Sequence, residues 1–248
     1  VQSDPKSARA LLAMGNVHLA KRQFDKAREA FAAGSALAPP RSAERLRYAE
    51  FELQMGELGN AREALEKFTA EVSDYIPGWM LFTQVAVKDQ RSSEASEHLE
   101  NIFRRDPGYI FGRLLKAQIQ MTDGEPEEAL DELKRLRELY PKSPVTELYL
   151  AKAYLWNAIP SQARAALNRA IGLQPDYREA IILLAQLDLR AGNPEPVVTS
   201  MENELRKSPG LSQLQFILAE AYRSSGRLDA ALNILDGQIE ANAESFNA

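Results

Sequence analysis

The chain has 248 residues, 45% hydrophobic and 26% charged, a formal net charge of −5 and no cysteine. This is the composition of one or two folded domains rather than of a disordered segment, and it leaves no disulfide, thiolate metal site or cysteine nucleophile. The charges are interspersed, without the basic stripe that a phosphate backbone requires, so nucleic acid is not an expected partner. No apolar run approaches the roughly 18–20 residues that span a bilayer, so no membrane insertion by this segment is expected. No signal peptide is visible, and the compartment is left open between cytoplasm and periplasm.

Read from the N-terminus, the first landmark is Pro5. It recurs at Pro39, Pro107, Pro141, Pro175 and Pro209 on a grid of 34 residues, with Ser73 at the one internal gap. Pro126, Pro160 and Pro194 repeat with the same period in a second phase. With the first unit beginning at Ala8, the others begin at Ser42, Ile76, Ile110, Pro144, Arg178 and Ser212. Each unit is predicted to hold two helices. The first stops at the column of Gly56, Gly124, Gly192 and Gly226. The second opens two residues later, where Pro126, Pro160 and Pro194 lose no useful N–H, and the terminal proline ends it.

Three further columns run through all seven units without insertion or deletion. The eighth position is small (Gly15, Ala49, Thr83, Ala117, Ala151, Ala185, Ala219). The twentieth is Ala27, Ala61, Ala95, Ala129, Ala163, Val197 and Ala231, and the twenty-fourth is large and apolar (Phe31, Leu65, Leu99, Leu133, Leu167, Met201, Leu235). Two antiparallel helices approach closely only where one offers a small side chain, and the large residue one turn further on fills the space around the contact. A helical bundle whose columns agreed by accident would not hold register over seven units.

This small–small–large–Pro pattern resembles the tetratricopeptide repeat over residues 8–245. The fifth unit (Leu150, Ala151, Tyr154, Ala163, Leu167, Ala170, Pro175) and the seventh (Leu218, Ala219, Tyr222, Ala231, Leu235) match best, and Trp79 stands at the family's tryptophan position. The second, fourth and sixth units depart from the pattern. They carry Arg45, Arg113 and Ile181 at the tryptophan position, and Glu52, Gln120 and Asp188 where an aromatic is usual. Even the best units have Glu147 and Gln215 in place of the tryptophan. The resemblance implies an all-α, right-handed superhelical solenoid of antiparallel helix pairs, with a concave wall made by the first helices. A single array is expected over 1–248. Residues 1–7 would be the tail of a preceding repeat, 246–248 would open a further one, and Ile234, Leu235 and Ile239 would lack a following helix.

The resemblance puts positions two, five, six, nine, twelve and thirteen of each unit on the concave wall. Position nine is polar throughout (Asn16, Glu50, Gln84, Gln118, Lys152, Gln186, Glu220), and position five is apolar (Leu12, Leu46, Met80, Leu114, Leu148, Ile182, Phe216). A ladder of hydrogen-bonding groups beside an apolar rail suits an extended peptide or a partner helix. The candidate partner-binding residues are Asn16, Arg47 and Glu50 in the first two units, Gln84 and Lys88 in the third, and Phe111 and Gln118 in the fourth. They continue with Tyr149, Lys152 and Trp156 in the fifth and Gln186 and Arg190 in the sixth. Phe111, Leu115, Met121, Tyr149, Lys152 and Trp156 make units four and five the richest, and Trp156 is the expected anchor. Some family members clamp a C-terminal carboxylate with Lys, Asn and Arg at set positions. This chain has Leu12, Arg47, Pro77 and Leu81 at four of them, so that clamp is absent.

Nothing in the sequence points to catalysis, a metal or a cofactor. Of the two histidines, His18 is expected to pack as a core imidazole and His98 to be exposed among Glu94, Glu97 and Glu100. Glu94 and His98 are at i, i+4, but two ligands make a weak site. There is no phosphate-binding glycine motif, and Glu127 and Glu128 point to different faces of a solvated helix. The expected function is a non-enzymatic interaction scaffold or adaptor that takes a protein or peptide in its groove, as part of a longer bacterial protein. The alternative is a targeting arm of a larger enzyme, or an envelope or polysaccharide-export assembly factor, whose other domains lie outside this segment. Self-association through the array ends is a further route to partners.

Overall fold

The structure is a computed structural model that describes residues 7–247, with side chains described for residues 7–239. The described residues form fourteen helices and no strand. These are α1 (Ala8–Ala20), α2 (Phe24–Leu37), α3 (Ala43–Met55), α4 (Leu58–Glu71), α5 (Ile76–Lys88), α6 (Ser92–Phe103) and α7 (Ile110–Thr122). They continue with α8 (Pro126–Leu139), α9 (Pro144–Trp156), α10 (Pro160–Leu173), α11 (Arg178–Arg190), α12 (Pro194–Lys207), α13 (Ser212–Ser224) and α14 (Leu228–Asn247). Every odd-numbered helix begins on the predicted grid or one residue after it, so the fold is the predicted run of helix pairs. The chain forms two compact units, Val1–Glu125 and Pro126–Ala248. Residues 1–6 and 248 lie outside the described residues, as do the side chains of 240–247. The expected preceding tail and following repeat therefore fall largely outside what is described.

The three columns are the core. Positions eight, twenty and twenty-four are buried in every unit except at Leu235, which is half-buried. Their sizes are coupled. In the first hairpin a Cβ on Gly15 would come within 2.9 Å of the Phe31 ring. Glycine is needed there because position twenty-four is phenylalanine, whereas units with leucine or methionine at twenty-four accept alanine or threonine at eight. Phe31 also reaches the next hairpin, its ring centroid 5.0 Å from that of Phe51. In the first unit one apolar cluster joins Leu46, Leu65 and Phe68 to Leu81, Phe82 and Val85, and a second joins Leu99 and Ile102 to Leu115 and Ile119. In the second unit Ile181, Val197 and Met201 pack with Leu214, Ile217 and Leu218. Each hairpin thus buries one face within itself and another against its neighbour.

All seven turns between the helices of a pair need a left-handed residue at position fifteen. Gly56, Gly124, Gly192 and Gly226 supply it with φ between 75° and 86°, whereas Arg22, Gln90 and Ala158 adopt φ of 56–58° despite their Cβ. A left-handed non-glycine costs about 1–2 kcal/mol, against about 0.5–1 kcal/mol of extra chain entropy for glycine. Ala158→Gly is therefore expected to stabilise the second unit by up to about 1 kcal/mol. Denaturant unfolding checks this, and a destabilised variant would show that the turn carries no strain.

The residues that break the repeat pattern form polar joints between hairpins. Glu52 is fully buried; Arg28 Nε donates to it at 2.7 Å from the preceding hairpin, and Asn60 Nδ2 donates at 3.2 Å. In the second unit Arg164 and Asp188 make the same joint at the same two positions, twenty-one of one repeat and eleven of the next. Where the following repeat keeps tyrosine at eleven, position twenty-one is apolar: Leu130 before Tyr154, and Val198 before Tyr222, the latter two sharing one apolar cluster. At the tryptophan position two repeats that lack tryptophan, those of Arg45 and Gln215, still place a side-chain donor. Trp79 Nε1 donates to the Ser73 carbonyl at 2.6 Å, and Gln215 Nε2 donates to the Pro209 carbonyl at 3.0 Å from the equivalent place. Arg45 at this position donates to the Ser35 and Ala36 carbonyls, closing the end of α2. Glu147 is buried against Arg169 at 3.0 Å.

Candidate interaction face on the first helices

Position nine recurs on the odd-numbered helices as a polar row, and none of its seven residues is buried. Positions five and eight, which pack against the adjoining helices, lie to one side of position nine on the same helices. The polar row is therefore left toward solvent by the same periodicity that builds the core.

In the first unit Asn16, Gln84, Lys88 and Phe111 are exposed or partly so, and Arg47, Glu50 and Gln118 are half-buried. Arg47 bridges two helices, pairing with Glu50 at 2.8 Å on α3 and donating to Asn16 Oδ1 on α1 at 3.4 Å. Lys88 Nζ on α5 donates to the Leu53 carbonyl on α3 at 2.9 Å. These contacts hold successive first helices in register and orient their polar ends.

In the second unit Trp156, at the end of α9, leaves 57% of its surface exposed. Gln186 and Arg190 on α11 are exposed, and Tyr149 and Lys152 are half-buried. Lys152 Nζ lies 5.0 Å from the Tyr149 ring centroid and 2.6 Å from Glu179 Oε1 at the start of α11. Burial, with Glu179 and Tyr149 adding to it, pushes the Tyr177 phenol up to about 12. Burial likewise raises that of Tyr149. Both phenols stay neutral at ordinary pH and offer hydrogen bonds rather than charge. The charge on this face comes from Lys152, Arg190 and Glu179.

The apolar rail expected at position five is largely withdrawn into the core. Leu12, Leu46, Leu114 and Leu148 are buried, Met80 and Ile182 are half-buried, and only Phe216 is exposed. Leu115 and Met121, expected on the wall, are buried as well. The reason is geometric: with 3.6 residues per turn, position five stands one turn before position nine but leans toward the adjoining helices, which claim it for the core. The exposed aromatic side chains on the first helices are Phe111 in the first unit and Trp156 and Phe216 in the second.

His98 also differs from expectation. It is buried, its ring stacked 3.9 Å from the Phe82 centroid and 5.6 Å from that of Trp79. Phe82 and Trp79 stand on α5; Glu97 and Glu100 are exposed, and only Glu94, half-buried, approaches His98, its Oε1 3.9 Å from Nε2. Sequence neighbours alone misplace it. His18, expected in the core, is half-buried and bonds Gln23 through Nδ1 at 2.7 Å. Burial lowers the His98 pKa from its ordinary 6.5, with Arg62 adding to the effect and Glu94 opposing it. The folded chain binds this proton more weakly than the unfolded chain, so the His98 contribution is complete above about pH 6.5 and is lost as the pH falls below it. The drop in melting temperature between about pH 7.5 and 5.5 is expected to shrink in His98→Phe, and an unchanged drop would show that His98 takes up its proton freely when folded.

Among the described residues no group of three or more His, Asp or Glu side chains could hold a metal ion, and no helix is long and apolar enough to cross a membrane. Glu94, the other half of the Glu94/His98 pair, is engaged by Arg62.

Sequence models described as tetratricopeptide repeat match residues 3–76 and 121–187, together more than half the chain. The chain belongs to the tetratricopeptide repeat family. No curated protein sequence matches it. Solved structures do. A thermophilic tetratricopeptide repeat protein of Thermus thermophilus aligns with a TM-score of 0.61 at 22% identity, over 74% of this chain and 100% of that one. Yeast Tom70 aligns with a TM-score of 0.79 at 16% identity, over 93% of this chain and 49% of that one. Cut9, solved in the hetero-tetramer Cut9–Hcn1 of the APC/C, aligns at 0.61 and 18% identity, over 89% of this chain and 44% of that one. At these identities the likeness is one of fold. A tetratricopeptide repeat fold is a scaffold for protein–protein interaction, and the sequence match and the helix pairs place this chain in that class.

Proposed function

We propose that this tetratricopeptide repeat chain is a non-enzymatic adaptor, a single array of seven repeats that takes a partner peptide or helix along the face carrying position nine. The observation that carries the reading is the pairing of a polar row, accessible in all seven repeats, with an exposed tryptophan at the end of α9. Tryptophan is costly to leave in water and dominates interface energetics when covered. Trp156 has neither a core role nor a hydrogen-bond partner among the described residues. The residues proposed to meet the partner are Asn16, Arg47, Glu50, Gln84, Lys88, Phe111 and Gln118 in the first unit, and Tyr149, Lys152, Trp156, Gln186 and Arg190 in the second.

The test is affinity capture from the source cells with the intact chain beside the Trp156→Ala, Lys152→Glu variant, both checked for helicity. Loss of a hot-spot tryptophan costs about 2 kcal/mol or more, so specifically captured proteins should fall about thirtyfold in apparent affinity. The same proteins retained at the same strength would remove this face from the reading.

A further inference from the structure

The second unit shows what kind of group its face accepts, because one of its own side chains already occupies part of it. Glu179, at the first turn of α11, sets its carboxylate 2.6 Å from Lys152 Nζ on α9 while 57% of its side chain stays in solvent. An exposed pair of this kind contributes little to stability, so it opens readily to a competing carboxylate. Arg190 lies on α11 one repeat step beyond Trp156 on α9, and takes part in none of the ion pairs found among the described residues. Gln186 holds on α11 the position that Lys152 holds on α9, and the indole of Trp156, one turn beyond Lys152 on α9, is exposed. The face therefore presents two cations against one displaceable carboxylate, with a large apolar surface beside them.

We infer that the segment captured by the α9–α11 face is an acidic peptide with an apolar side chain next to its carboxylates, which displaces Glu179 from Lys152 and sets the apolar group on Trp156. The inference rests on the adaptor reading above and names the chemistry of its partner. In this arrangement Glu179 is a placeholder that keeps Lys152 extended over the Tyr149 ring and lowers affinity for weak anionic competitors. Arg190 takes a second carboxylate one repeat step along the ligand, and Gln186 pairs with its main chain.

The experiment is selection of a displayed random peptide library on the intact chain, with sequencing of the bound pool and fluorescence titration of selected synthetic peptides. Enrichment of Asp or Glu beside Leu, Phe or Trp is expected. Affinity should drop about tenfold in Lys152→Glu and rise about threefold in Glu179→Gln, where the competing charge is gone. Arg190→Gln should lower it without altering helicity. A pool of neutral or basic peptides whose binding still depends on Trp156 would overturn the acidic chemistry and keep the adaptor face. A pool indifferent to Trp156, Lys152 and Arg190 alike would overturn both. Selected acidic peptides with unchanged affinity in Glu179→Gln and Lys152→Glu would also overturn it, because the carboxylate would then be read elsewhere.

Discussion

Arg28→Ala is expected to destabilise the first unit by about 3 kcal/mol, the lower end of the range for a broken buried ion pair. In that variant Glu52 keeps the neutral Asn60 amide but has no cation beside it, in a position with no solvent exposure. An unpaired carboxylate in such a place is far more costly than the pair was favourable. The lower end applies because the Arg28 side chain is 32% exposed and its removal lets water approach. Replacing both partners separates this account from simple loss of packing. The second unit meets the same position with Val198 and Tyr222, so Arg28→Val with Glu52→Tyr should return most of the lost stability. Denaturant unfolding measures both, with amide exchange in α2 and α3 as the local readout. A single variant within about 1 kcal/mol of the parent would show that this joint carries little of the stability of the first unit.

Leu167→Ala is the second large effect, about 2–5 kcal/mol. Leu167 is fully buried at position twenty-four, one turn beyond Ala163, and its hairpin's small residues Ala151, Ala163 and Ala170 are fully buried too. Alanines cannot move in to fill the space, so the cavity persists and the cost lies in the upper half of that range. In a stack where each hairpin contacts only its neighbours, the loss is local and spreads by weakened interfaces. Exchange of α9 and α10 amides should rise before that of α13. Leu232→Ala is the control: the residue is 56% exposed, and it should change stability by no more than about 0.5 kcal/mol. Equal losses at the two sites would mean that position twenty-four is not the core of the hairpin.

The helix boundaries were legible because they depend on local chemistry. Proline cannot continue a helix, and a left-handed residue ends one at position fifteen in every unit, so punctuation on a fixed period carries the element map. The small and large columns were legible for the same reason, since one repeat's packing is every repeat's packing. What misled was any residue whose surroundings come from a neighbouring hairpin or from the partner helix. His98 has glutamates beside it in sequence and two aromatic rings beside it in space. The leucines of position five looked available for a ligand and are claimed by adjoining helices. Glu52, Gln120 and Asp188 looked like lapses from the pattern. Two of the three are halves of matched joints, a signal recoverable by comparing position eleven with position twenty-one of the preceding repeat.

The sequence by itself determined that this protein is a run of antiparallel helix pairs, where each helix starts and stops, and which columns are buried, because turn chemistry and side-chain volume act over a few residues and repeat without interruption. Only the tertiary structure decided which polar residues are held in joints between hairpins and which stay exposed. That distinction depends on what the next helix brings within about 3 Å, and a neighbour one hairpin away leaves no mark on the local pattern. Arg28 and Glu52 became a joint, Lys152 and Glu179 became a displaceable pair, and Trp156 was left in solvent for that reason alone.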